Sequence, residues 1–168
     1  MQNDPKKPIY LARWKFFKLV KAVCSARYFE ENDLYKLTAP GEAILETSAF
    51  RQSISSVWDG IEIPFCAATT EELLNKKAGT LSEILEVVRK HPSGLCPPWA
   101  GPVLRSQHAR QPEGELLHLA MEPIRCSDGH LRIFIVMHHK KGGLLLHSKT
   151  VRPNLQCRGD AMWVFPTD

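Results

Sequence analysis

The segment Tyr35-Lys36-Leu37-Thr38-Ala39-Pro40-Gly41-Glu42-Ala43-Ile44-Leu45 changes character twice within one short stretch. Leu34 to Leu37 reads as a strand. Thr38 can then accept a hydrogen bond from an orphan amide of a following helix, and Pro40 fits the first helical turn, where a missing N–H costs nothing. A strand, a sharp polar turn and a helix start are expected here. Just upstream, Glu30-Glu31-Asn32-Asp33 favours a turn, because the short side chains can bond their own backbone. That turn closes a helix expected over Ala12 to Glu31. At about 100° per residue, Phe16, Leu19, Val20 and Val23 fall on one face of it and Lys15, Lys18 and Lys21 on the other, with Trp14 among the lysines. An exposed indole beside ammonium groups can stack on a base while the lysines meet phosphates. The plainer alternative packs Trp14 on a later strand and leaves the lysines to solvate that side.

A basic helix, a short wing and the pattern Tyr-x-Leu-Thr-x-x-Gly before an apolar helix, carried here by Tyr35, Leu37, Thr38, Gly41 and Leu45, resembles the end of a winged-helix domain. Similar segments occur in bacterial winged-helix transcription factors and in the dimerisation domain of small-molecule O-methyltransferases. The resemblance covers about residues 12–50 and implies DNA binding and transcription regulation. The family places two further helices before the basic one. Here they would come from later sequence or from a partner copy, which admits a homodimer.

The chain has 168 residues, the size of one ordinary domain, and can bury enough surface to fold without staples. Its 43% hydrophobic and 24% charged content is that of a globular rather than a disordered chain. No apolar run approaches the ~20 residues needed to cross a bilayer, and Met1-Gln2-Asn3-Asp4-Pro5-Lys6-Lys7 is unlike a signal peptide, so a cytoplasmic protein with no membrane partner is expected. Cys24, Cys66, Cys96, Cys126 and Cys157 are dispersed without a Cys-x-x-Cys pair. Reduced thiols are expected rather than a disulfide framework or a zinc knuckle. No cofactor is implied. The net charge of +4 permits an anionic partner without demanding one.

Trp58-Asp59-Gly60 marks a turn before the apolar run Ile61 to Phe65. Thr69 with Glu72 and Thr80 with Glu83 form two capping boxes, so Glu71 to Lys90 should hold two helical pieces broken at Gly79. Leu81, Ile84, Leu85 and Val88 line a core-facing stripe on the second. From His91 to Gly114, Pro92, Pro97, Pro98, Pro102 and Pro112 are interleaved with glycine, the composition of a long functional or mobile connection. Trp99 within it is a candidate anchor for a protein partner. Tucking onto the sheet is its alternative fate. His91-Pro92-Ser93-Gly94 resembles part of a JAMM-type zinc motif, but Arg89 stands where the first ligand belongs, and a catalytic zinc needs three protein ligands. No metal site is assigned.

The last part of the chain reads as antiparallel sheet. Glu115 to Arg125, Leu131 to His139 and Leu144 to Val151 are strand-like, separated by the hairpin signals Ser127-Asp128-Gly129 and Lys140-Lys141-Gly142-Gly143. Met162 to Phe165 can add a short further strand. The middle run puts Ile133, Ile135 and Met137 on one face and Arg132, Phe134, Val136 and His138 on the other, which suits a central strand. His118, His130, His138, His139 and His147 also fall in this part. Neighbouring hairpin strands could bring His138 or His139 near His147, among Lys140, Lys141, Lys149 and Arg152. Paired imidazoles with a nearby cation are the equipment for acid–base cleavage of an RNA backbone.

The expected fold is thus α+β: a helical, winged-helix-like half over 1–90, a Pro/Gly-rich connection over 91–114, and a half over 115–168 built as an antiparallel meander of three or four strands, all of it compatible with one compact domain. The leading expectation for function is a noncatalytic nucleic-acid-binding or regulatory protein contacting DNA or RNA through Trp14, Lys15, Lys18 and Lys21. Two others stand beside it: an adaptor that binds a protein through the proline-rich loop and Trp99, and a small metal-independent ribonuclease using His138, His139 and His147. No phosphate-binding glycine loop, nucleophile elbow or carboxylate pair points to a more conventional enzyme.

Overall fold

The computed structural model describes residues 10–15, 36–55 and 62–167. Its strands are β1 (Tyr10–Lys15), β2 (Lys36–Leu37), β3 (Glu62–Thr69), β4 (Ala78–Thr80), β5 (Leu116–Leu119), β6 (Ile124–Arg125), β7 (Leu131–His139), β8 (Gly143–Thr150), β9 (Gln156–Arg158) and β10 (Met162–Pro166). Its helices are α1 (Ala39–Leu45), α2 (Ser48–Ser55), α3 (Thr70–Leu74), α4 (Leu81–Arg89) and α5 (Ala100–Gln107).

The turn at Thr38 forms as its chemistry dictates. Thr38 Oγ1 accepts from the Gly41 amide at 3.2 Å, and Pro40 lies in the first turn of α1. Gly41 serves a close approach: a Cβ there would lie 2.6 Å from the Leu146 carbonyl oxygen, so α1 rests directly on the backbone of β8. Both capping boxes are present, Thr69 with Glu72 opening α3 and Thr80 with Glu83 opening α4. They satisfy orphan amides on either side of β4.

The strands form one eight-stranded sheet in the order β1-β3-β10-β5-β7-β8-β2, with β6 beside β7, and a separate pair of β4 and β9. The β7–β8 hairpin and the antiparallel β5–β7 pairing follow the expected meander. β10 departs from a simple meander: it lies between β3 and β5, antiparallel to the first and parallel to the second. Trp163, Val164 and Phe165 are all buried. A strand apolar on both faces finds no place at an edge.

Two further expectations are corrected. The helix expected from Ala12 is replaced at its start by β1, whose backbone pairs with β3 from Tyr10↔Ala67 to Lys15↔Glu62. Tertiary pairing of the free edge of β3 overrides the local helical periodicity. The remainder of that helix, with Lys18 and Lys21, lies outside the described residues. Over the described residues the N-terminal half gives no support to a winged helix; it contributes β1, β2 and β3 to the same sheet as the C-terminal half. The proline-rich connection is not a structureless loop either. It contains α5, where Gly101 lets the helix sit on the Phe134 ring, a Cβ at that position falling 2.5 Å from Phe134 Cδ2. Pro102 lies in the first turn of α5, where no intrahelical N–H is lost.

The sheet is covered unequally. On the face bearing Phe134, Val136, Leu117 and Leu146 lie α1, α2 and α5, with Phe50 meeting Phe134 edge-on at a centroid distance of 6.0 Å. The opposite face carries Trp163 and Phe165. Trp163 Nε1 donates to Thr70 Oγ1 of α3 at 2.9 Å, and His91 packs on Phe165 at 5.3 Å. The apolar stripe of α4 is buried as expected. Among the described residues no helix is long and apolar enough to cross a membrane.

Arg105, fully buried, donates to Gln111 Oε1 and to the carbonyls of Met137 and His108, while Gln111 Nε2 donates to the carbonyls of Val136 and Glu115. The network clamps the chain after α5 to the end of β7 and so fixes where β5 begins.

Gly101→Ala should destabilise the fold by about 1–3 kcal/mol through overpacking against Phe134. Adding Phe134→Leu should recover part of the loss in urea unfolding. An unchanged midpoint for the single variant would show that α5 does not contact the sheet so closely.

Candidate functional site

On the Trp163 face, the chain returns from β8 to β10 through residues 151–161 and leaves a cavity of about 490 Å³ against the sheet. Sites for small organic ligands span about 300–1,000 Å³. Register puts the wall residues on one side. Ile133 pairs with Lys149, His118 with Ile135, and Trp163 with His118, and directly paired residues share a face. The returning segment closes the other side with Leu155, Cys157, Arg158, Asp160 and Ala161. Leu116, at the rim, is 42% exposed and is the exposed large apolar side chain among the described residues.

His118 is the polar centre of the wall. Its ring lies on Trp163 with centroids 4.9 Å apart and planes tilted by 32°. Its Nδ1 is 3.1 Å from the Met162 carbonyl oxygen, which can only accept, so Nδ1 carries the proton and Nε2 is left as an acceptor. Burial pushes its pKa below the usual imidazole value; the Met162 hydrogen bond opposes this and the charge of Lys149 adds to it. The ring is neutral at pH 7.

The charges in the cavity are unequally engaged. Arg158 holds Asp160 through two contacts, at 3.1 and 2.9 Å. Glu115 Oε2 meets His108 Nε2 at 3.1 Å. Lys149 makes no ion pair among the described residues. Cys157 donates its thiol to the Leu155 carbonyl at 3.6 Å, and burial raises its pKa, with Lys149 opposing the rise. A thiol held protonated is not a nucleophile. All four cysteines among the described residues are buried free thiols, and burial pushes Cys66 up to about 11.

The histidines proposed for ribonuclease chemistry are not gathered at one point. His138 faces the α5 side, its Nδ1 2.7 Å from the Gln111 carbonyl. His139 Nδ1 accepts from the amides of Lys141 and Gly142 and so ties the hairpin turn. His147 pairs with Ile135, putting it on the face opposite His138, and its Nδ1 meets Thr38 Oγ1 at 2.8 Å. Its pKa is lowered by burial and by the charge of Arg132. His139 shares a face with His147 but lies roughly 13 Å along β7 from the residue opposite it. Among the described residues no group of three or more His, Cys, Asp and Glu could hold a metal ion. Trp14 and Lys15 lie in β1 opposite Ile63 and Glu62. Trp99 is 7% exposed and packed in the fold, the alternative fate named for it above.

Sequence reasoning named His118 and Lys149 only as members of a basic, histidine-bearing sheet, and it passed over Trp163 and Cys157 as site residues. Nothing local to these positions marks them. Only the parallel pairing of β5 with β10, between segments far apart in the chain, brings His118 onto Trp163.

The lowered pKa values of His118 and His147 make stability depend on pH. The unfolded chain, with imidazoles near ~6.5, binds protons that the folded chain refuses, so stability is complete above that value and falls as the pH drops below it. His118→Phe should flatten this fall by up to about 1.4 kcal/mol per pH unit. Urea midpoints at pH 7.5, 6.5 and 5.5 measure it, and identical slopes for the two proteins would show that His118 is not held neutral. No protein-family model, curated protein or solved structure matches the chain, so the site is read from its own geometry.

Proposed function

We propose that this chain is a noncatalytic ligand-binding module that takes a small organic molecule into the cavity between the sheet and residues 151–161. The observation that carries the reading is the composition of that cavity. Apolar side chains of Leu116, Ile133, Val151, Leu155 and Trp163 share the lining with polar ones, His118 and Lys149 on the sheet wall and Glu115, Gln156, Arg158 and Asp160 beside them. A small-molecule site likewise combines apolar and aromatic walls with polar groups that fix the ligand's orientation. Binding is favoured over nucleophilic turnover because the Cys157 thiol in the lining is held protonated.

The reading keeps the noncatalytic part of the expectation from sequence and moves the contact surface from the Trp14–Lys21 segment to the sheet. An amide-detected NMR titration with a fragment library tests it. Saturable shifts confined to Leu116, His118, Lys149 and residues 155–163 are expected. No saturable shift in that set would overturn the proposal. So would shifts at other sites accompanied by steeply salt-dependent binding of random DNA or RNA, which would return the nucleic-acid reading.

A further inference from the structure

We infer that the cavity selects an amphipathic organic anion, its single acidic head held by Lys149 and its apolar body resting on Leu116, Ile133 and the Trp163–His118 pair. The inference rests on the ligand-binding role proposed above and deepens it.

The charges around the cavity argue for an anion. Arg158 and Asp160 neutralise each other through their paired contacts. Glu115 is turned to His108. It also lies at the far end of the site: Lys149 is opposite Ile133 on β7, whereas the Glu115 backbone bonds His138. Those two positions on β7 are roughly 17 Å apart at the rise of an extended strand. That is about twice the Debye length at physiological salt, so Glu115 does not compensate Lys149. Among the described residues Lys149 thus has no acidic partner, and it lines the cavity together with His118 on the sheet and Cys157 on the returning segment. The Lys149 side chain is exposed, so its ammonium is open to a bound acidic group.

The rest of the wall fixes the remainder of the ligand. With its Nδ1 proton given to Met162, His118 offers only an acceptor, Nε2, which complements one O–H or N–H donor on the ligand. The apolar floor and the exposed Leu116 suit a flat or aliphatic body and would be covered by it. A zwitterion is disfavoured, since the carboxylate that would receive its cation is already engaged.

Two naphthylamine probes of nearly equal shape separate the possibilities: 8-anilinonaphthalene-1-sulfonate, an anion, and N-phenyl-1-naphthylamine, its neutral counterpart. Fluorescence titration of the intact chain should give saturable binding of the anion at one site, tighter than that of the neutral probe. Lys149→Gln should weaken the anion three- to tenfold and leave the neutral probe unchanged, while Lys149→Arg should restore the preference. Ala161→Phe, which fills the cavity, should weaken both. Near-UV circular dichroism of each variant confirms that it is folded. Equal affinity for the two probes, or equal loss of both on Lys149→Gln, would overturn the anion selectivity and leave the cavity as a site for neutral ligands. Failure of both probes to saturate, or indifference of both to Ala161→Phe, would overturn the ligand-binding role and this inference with it.

Discussion

β10 has a neighbour on each edge, and the rest of the arrangement depends on that. Trp163, Val164 and Phe165 are too apolar to leave either face of their strand in water, so the strand is enclosed between β3 and β5. Since β5 runs parallel to it, a hairpin cannot connect them; the chain must cross the sheet to enter β10 in the right direction. The crossing is residues 151–161, held away from the sheet by the β9–β4 pairing and by the amides of Leu81 and Ser82, which donate to the carbonyls of Leu155 and Pro153. The cavity is the space that this detour leaves.

The two walls of the cavity are therefore fixed for different reasons. The sheet wall is positioned by strand register and by the Trp163–Thr70 hydrogen bond beneath it. One end of the site is set by Arg105 and Gln111, buried polar groups that bond each other and the carbonyls of Val136, Met137, His108 and Glu115. A buried guanidinium is costly unless its donors are met, and here both terminal nitrogens find acceptors, on β7, at the helix end and on Gln111. The loop cannot shift without leaving those groups unsatisfied. A site assembled this way is formed before any ligand arrives, which lowers the ordering cost of binding.

How much of this was legible in the sequence depended on the range of the interactions involved. The Thr38 turn, the Thr69 and Thr80 capping boxes and the Lys140–Gly143 hairpin are decided by neighbours within a few residues, and local chemistry identifies each of them. The α5 helix was hidden by its prolines, because Pro97, Pro98 and Pro102 suggest a loop until Pro102 is seen to occupy the first turn. β1 was hidden by a periodicity that suits a helix equally well and lost to the open edge of β3. For the site, the gap is wider. Lys149 and His118 carry no motif, and their relation exists only through β7, which pairs with both of their strands.

The same register explains why the histidines divide into separate roles. Strand alternation puts His138 and His147 on opposite faces, so proximity along a hairpin does not become proximity in space. His138 and His139 are each bonded to backbone at the same end of the β7–β8 hairpin and secure its turn and the neighbouring loop. His147 ties β8 to the cap of α1. His118 differs from them because its strand neighbour is an indole on which its ring lies; burial and the charge of Lys149 keep it neutral, and the Met162 carbonyl fixes its tautomer. Of the four, His118 is the one that lines the cavity, with Nε2 left as its acceptor.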